Sequence, residues 1–423
     1  MEQSEMELKD ASYTASLKGV NSEGSSETDV LTSSFKSQRI TSAKTEKAEA
    51  IRQACSSRDL EALVSLATSE GGLMEDGLRQ IAWPILLRCD EKSRYGEPVP
   101  SDELPRHVDE DQVELDVNRS FVYYPKSPEE ELLSKKKQLS KLITQVLRNH
   151  PMLCYFQGYH DIVQVLLLVL GEKMAVSAVA QISLFRIRDY MLPSLSPAVK
   201  HLHLIPAIIE TTDPELRRHL GNIQPFFALA ATLTLYAHDI QEYSNIARLF
   251  DFLLAHEPVV AIYLFAAMIL SRKKELLEIP ENEPEMLHFT LSKLPNPLDL
   301  DGHILNATKL FKDHPPESLP LGAWKRIPWC SVLKTSRDPY QAYAVDDAVY
   351  LFDQQTRQLR YEERKKQALD FMWSHRRSVG SVALTILVGA ASIYLRKKGL
   401  DNAILSYAGR VQKLLQRWIS SLP

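Results

Sequence analysis

The sequence predicts an all-α protein that carries, near its C-terminal end, one further helix able to span a membrane. Four observations lead there. Between Glu129 and His150, Leu132, Leu133, Leu139, Leu142, Ile143, Val146 and Leu147 recur at three and four residues with Lys and Gln between them, the period of one helical face. The runs 162–170, 178–191, 226–236 and 259–270 are apolar nearly all round, as interior helices are. Turn-punctuated alternation, the mark of sheets, is missing elsewhere, although the nine-residue run IVQVLLLVL reads as strand on propensity alone. Finally, residues 378–395 are 18 consecutive residues without a charge, bracketed by Arg376 and Arg377 before and Arg396, Lys397 and Lys398 after.

Taken in order, residues 1–44 are rich in Ser and Thr, 14 of the 44. Such a segment cannot bury enough apolar surface to offset chain entropy, so it is expected to be disordered. Order is expected from Thr45. A helix with Ile51, Leu60, Leu63, Val64 and Leu66 on its apolar positions runs to Gly71 and Gly72, which suit a helix end. Residues 45–313 form the helical body. From Lys273 to Pro328 there are eight prolines and an acidic patch, ENEPE, so short helices and loops should close it. Residues 314–377 hold the closing segment and a helix from about Asp346 to Trp373 whose charges alternate in sign, as on a solvated stalk.

As a helix, the uncharged run 378–395 reaches about 27 Å at ~1.5 Å per residue, enough for a thin bilayer. A buried core helix is the alternative, and Gly380, Gly389, Ala390 and Ala391 would permit it. The basic brackets and the lack of a polar face favour a membrane anchor. Residues 396–423 form a basic amphipathic tail with Ile404, Tyr407, Ala408, Val411, Leu414, Leu415 and Trp418 on one face. Both flanks of the span are basic, so charge does not decide the topology. The tail is luminal if the span is complete and cytosolic if it is a shallow hairpin.

With 423 residues, 44% of them hydrophobic, the chain can bury one large core or two ordinary ones. Its 50 Lys and Arg against 54 Asp and Glu indicate neither a nucleic-acid surface nor a strongly acidic binder. Cys55, Cys89, Cys154 and Cys330 form no CxxC pair, which fits a reducing compartment and argues against a disulfide framework or zinc site. His201 and His203 are two apart and would point to different sides of a helix, which does not suit a metal. Nothing at the N-terminus resembles a cleaved signal peptide.

The chemistry-bearing residues are Arg119, in VELDVNR, and Gln157, in YFQG, whose Tyr155 follows 36 residues after Arg119. A guanidinium can neutralise charge developing on a transferring phosphoryl group, and a carboxamide can orient the attacking water. The chain has no phosphate-cradling loop, so a nucleotide served by these residues belongs to a partner. Taken singly, Arg119 reads as a surface residue paired with Asp116 at (i, i+3), and Gln157 as a loop residue. His160 and Asp161 read as capping or core hydrogen bonding or as a partner contact.

Together the two segments resemble the motifs of TBC-domain GTPase-activating proteins, which act on Rab GTPases. The first motif is matched by Val113, Asp116 and Arg119, the second by Tyr155, Gln157 and Gly158. Gly77, Leu78, Arg79 and Trp83 match the opening of such a domain, and Phe250, Asp251 and Phe252 a later helix. One departure is Ala231, where related sequences usually carry a Trp. The resemblance implies an all-α TBC domain, with Arg119 as arginine finger and Gln157 as glutamine finger. Asp116, Tyr155, Gly158 and Arg79 are then supporting residues. It implies a Rab-family GTPase as partner, with GTP and magnesium carried by that partner and no cofactor or metal of the chain's own. The chain would be an activator of hydrolysis rather than an enzyme on its own substrate. The added C-terminal span resembles a membrane-anchored subgroup of the early secretory pathway, implying an endoplasmic reticulum or Golgi membrane with the domain facing the cytosol. A non-catalytic Rab-binding adaptor and a membrane scaffold are the alternatives.

Overall fold

The computed structural model describes residues 26–89, 99–338 and 344–375, and among them every regular element is a helix. The all-α reading therefore holds. The expected span at 378–395, the tail at 396–423 and residues 1–25 of the expected disordered segment lie outside the described residues.

Helix α1 (Ser26–Ser57) begins well before Thr45, so the expected disorder does not extend over residues 26–44. Residues 42–46 are exposed while Ile51 is fully buried. The packed second half nucleates the helix, and adding residues to an existing helix costs little. The single helix expected to run on to Gly71 is in fact broken at Arg58, whose φ is 54°. Asp59 then caps α2 (Leu60–Thr68), its carboxylate accepting from the Ala62 N–H at 3.0 Å. The two glycines do end this segment, with φ of 72° and 54°. Gly72 is a required glycine, since a Cβ there would lie 2.5 Å from Asp251 Oδ2.

Helix α3 (Asp76–Leu86) buries Trp83 against Phe250, ring centroids 6.0 Å apart. Helix α4 (Glu110–Asn118) is short and packs on the amphipathic α5 (Glu129–Asn149). Helix α6 (Tyr159–Phe185) joins two of the predicted apolar runs across a kink at Gly171, φ 72° and ψ 164°. It is long and apolar enough to cross a membrane, but it is mostly buried inside the body, so its composition reflects a core position. It stops at Phe185 rather than Met191, because Arg188–Tyr190 tighten into a 3-10 turn.

The second half continues through α7 (Ser196–Leu202), α8 (Leu204–Thr212) and α9 (Pro214–His219). The run 226–236 is not one helix. It is a 3-10 turn, Pro225–Ala228, then α10 (Leu229–Leu233), then a reversal with Leu235 and Tyr236 at φ 49° and 66°. Ala231 is buried on α10. Helices α11 (Tyr243–Ala255) and α12 (Val260–Ser271) complete the core, and α12 packs along α15. The Pro-rich segment forms short pieces as expected: α13 (Lys273–Glu278), α14 (Pro284–Leu291), α15 (Leu300–Asp313), α16 (Ala323–Arg326) and α17 (Val332–Thr335). The charged helix is α18 (Val345–Ser374), seated by Ala348, Phe352, Gln355 and Leu359 and exposed beyond residue 362.

Candidate functional site

Helix α4 positions both finger candidates, one from each end. At its start, Glu110 forms a two-point ion pair with Arg148 of α5, Nε–Oε1 2.7 Å and Nη2–Oε2 2.8 Å. The Arg148 hydrogen bonds hold the Glu110 carboxyl below its usual range. Asp109, just before α4, accepts from the Tyr155 N–H at 2.9 Å. At the other end, Lys136 donates to the Asn118 carbonyl at 2.6 Å, and Arg119 ends the helix.

Asp116 is fully buried and serves as the hub. It accepts from Gln112 Nε2 at 3.0 Å, from Arg119 Nη2 at 2.5 Å and, on its other oxygen, from the Tyr155 hydroxyl at 2.9 Å. The ordinary (i, i+3) pair of Asp116 and Arg119 thus exists, and it has a buried carboxylate at one end. The Arg119 side chain is 66% exposed, and its other N–H groups have no partner among the described residues. Burial, then the Asp116 charge, pushes the Tyr155 hydroxyl far above its ordinary value, so it stays a donor.

Gln157 is exposed on the turn before α6, and its carboxamide has no hydrogen-bond partner among the described residues. The turn is made by Gly158, at φ 100°, where a Cβ would lie 2.6 Å from Thr234 Cγ2. Arg119 and Gln157 line one open cleft, together with Phe121, Tyr124, His160 and His238. Next to Arg119 the surface is apolar, with Leu115 60%, Val122 73% and Tyr123 46% exposed.

Three supports lay beyond sequence reasoning: Asp109, Gln164 and His238. Asp109 holds the Gln157 loop. Gln164, buried on α6, accepts from the Phe121 N–H at 2.9 Å and so fixes the chain after Arg119, where Phe121 has a φ of 60°. His238 bonds Asp161 across the cleft floor, Nδ1 to Oδ2 3.0 Å, and that bond raises the imidazole above its ordinary value. Of the three, only the Asp before α4 left a local trace, as a capping-type residue.

Arg79 does not line the cleft. It is buried and bonded to Asp251 of α11, Nε–Oδ1 3.0 Å, and to Asp76, 2.9 Å. Asp251 also accepts from Leu73 N and from Trp83 Nε1 at 2.8 Å. Arg79 is linked to the cleft through Asp76, the Tyr243 hydroxyl at 2.6 Å, and the Tyr243–Tyr124 ring contact at 5.8 Å. His201 Nε2 bonds Asp189 at 2.8 Å, while His203 lies on a different surface beside Arg326.

Residues 76–277 match the Rab-GTPase-TBC domain. Over 320 residues the chain is 33% identical to the GTPase-activating protein gyp10 of Schizosaccharomyces pombe, covering 74% of this chain and 85% of the relative. The chain belongs to the Rab-GTPase-TBC domain family. This TBC protein is also 33% identical over 357 residues to TBC1 domain family member 20 of Bos taurus, covering 82% and 87% of the two chains. With the Homo sapiens protein of that name it shares 32% identity over 371 residues, 84% and 90% of the respective lengths. Both likenesses extend well beyond the domain itself.

Proposed function

We propose that this TBC protein accelerates GTP hydrolysis by a Rab-family GTPase of the early secretory pathway, with Arg119 stabilising charge on the γ-phosphoryl group and Gln157 orienting the attacking water. The observation that carries this reading is the shared tether. Two exposed, chemically apt side chains flank one cleft, and the loops that bear them meet at the single buried carboxylate of Asp116. Prepositioned charge of this kind is what phosphoryl transfer asks of a protein, since little covalent chemistry is left to it. GTP and magnesium come with the Rab. Leu115, Val122 and Tyr123 supply an apolar contact surface beside the charge.

Residues 378–395 would anchor the chain in an endoplasmic reticulum or Golgi membrane with the domain in the cytosol. The support is their charge-free length and basic flanks and the similarity to TBC1 domain family member 20. The test is single-turnover GTP hydrolysis by a panel of purified Rabs with the full chain. One Rab should be strongly accelerated, by about 10³-fold or more for an arginine finger. Arg119→Ala and Gln157→Ala should each abolish most of it. A Rab that binds without being accelerated would establish the adaptor reading instead.

A further inference from the structure

His160 sits in the first turn of α6 with its ring 12% exposed. Three groups face it. Its Nδ1 is 3.2 Å from the Tyr155 hydroxyl and 3.8 Å from Asp116 Oδ2; its Nε2 is 3.3 Å from Asp161 Oδ1. The other Asp161 oxygen takes His238 Nδ1 at 3.0 Å, and Arg119 lies on the far oxygen of Asp116.

Counting hydrogens shows a conflict. Tyr155 has one hydrogen and two acceptors, Asp116 Oδ2 at 2.9 Å and His160 Nδ1 at 3.2 Å. A neutral imidazole likewise has one hydrogen, yet here oxygen atoms face both of its nitrogens. With that hydrogen on Nε2, toward Asp161, the lone pair of Nδ1 competes with Asp116 Oδ2 for the Tyr155 proton and weakens the bond to Asp116. With hydrogens on both nitrogens, Nδ1–H points at the Tyr155 oxygen, and the hydroxyl proton turns to Asp116.

We propose that His160 is a positioning residue for Arg119: by competing with Asp116 for the Tyr155 proton, it sets how firmly Asp116 holds the guanidinium. The proposal rests on the reading of Arg119 as the finger. When Asp116 accepts from Gln112, Arg119 and Tyr155 together, its charge is shared and Arg119 is freer to swing to a phosphoryl oxygen. When Tyr155 shares its proton with His160, the Arg119 pair carries more of that charge and tightens. Burial pushes the imidazole below its ordinary value; Asp161 and Asp116 oppose this, and His238 and Arg119 reinforce it. The tight state therefore prevails at neutral pH, and acceleration rises on the acid side.

The experiment is single-turnover hydrolysis by the accelerated Rab with the full chain at saturation, from about pH 5.5 to 8, subtracting the unaided Rab rate at each pH. The maximal rate should climb about three- to tenfold toward acid, the span of one net hydrogen bond, with a steady half-saturating concentration. His160→Phe and His160→Gln cannot titrate and should flatten the profile. Tyr155→Phe should flatten it with the imidazole intact, so loss of folding in one variant leaves two others. His238→Asn should keep the slope. A flat wild-type profile overturns the proposal, as does a slope that survives in the His160 variants. If Arg119→Ala accelerates like wild type, the finger reading falls and takes this proposal with it. If Arg119→Ala is inactive but His160→Phe keeps the slope, the positioning role alone is refuted.

Discussion

Gly158 shows how one residue sets the geometry of the loop that carries Gln157. Its φ of 100° is open to glycine and strained for any L side chain, and Thr234 Cγ2 occupies the space a Cβ would need. Gly158→Ala therefore combines two separable penalties, backbone strain and a steric contact, together about 1–3 kcal/mol. Calorimetry should show a lowered Tm, and the turn carrying Gln157 should shift enough to reduce acceleration. Adding Thr234→Ser removes Cγ2 and should return the steric part while leaving the backbone part. A double variant no more stable than the single one would show that the Thr234 contact is not what makes the position intolerant. The sequence exposed this glycine through its motif. It could not expose Thr234, which lies 76 positions away and is brought there by the reversal at Leu235 and Tyr236.

Among elements, α18 is attached through a buried polar clamp rather than through apolar packing alone. Asp189 accepts from His201 at 2.8 Å, from Val332 N at 3.0 Å, from Ser331 at 2.5 Å and from Gln355 Nε2 at 2.6 Å. Gln355 also accepts from Arg188 Nε at 2.8 Å, and Lys200 pairs with Glu362 at 2.7 Å. Burial opposes ionisation of Asp189, but the His201 bond, the neighbouring positive charges and Ser331 outweigh it and hold the carboxyl at about 2. A carboxylate depressed from an ordinary value near ~3.9 stabilises the fold above about pH 4, and that contribution is lost as pH falls toward 2. Gln355→Leu should strand the Arg188 Nε–H and take one of two donors from Asp189 Oδ1, at about 1–3 kcal/mol. Hydrogen exchange should then speed up across residues 345–362 while α5 and α12 stay protected; uniform acceleration through the whole body would mean that the clamp is not local. The sequence showed α18 by its charge pattern and α5 by its three-and-four repeat, because both signals are local. It concealed the break at Arg58, where Asp59 outcompetes helix continuation, and the fusion of two apolar runs into α6, where composition alone marks no boundary. Gln164 and His238 were equally hidden, and Asp109 showed only as a capping-type residue, since only tertiary packing brings the three to the cleft.

At the scale of the whole molecule, the catalytic reading and the membrane reading depend on each other. The cleft is open and its apolar rim is small, and under the proposed function Arg119 and Gln157 would need only brief contact with the Rab. A weak interface suffices if both partners share a surface, since confinement replaces a bimolecular search with a local one and can raise apparent affinity by about 10²-fold or more. Helix α18 leaves the body at Glu362 and runs exposed to Ser374, with Phe371 60% and Trp373 73% exposed near its end. Deleting residues 378–423 should leave the maximal rate in solution unchanged, because every residue of the cleft is retained. On vesicles bearing a lipid-anchored Rab, the same deletion should lower the rate at limiting protein by about 10²-fold relative to the full chain. Equal rates for the two proteins on vesicles would show that the C-terminal region does not bring the domain to its partner, and the domain would then have to find the Rab through its own surface alone.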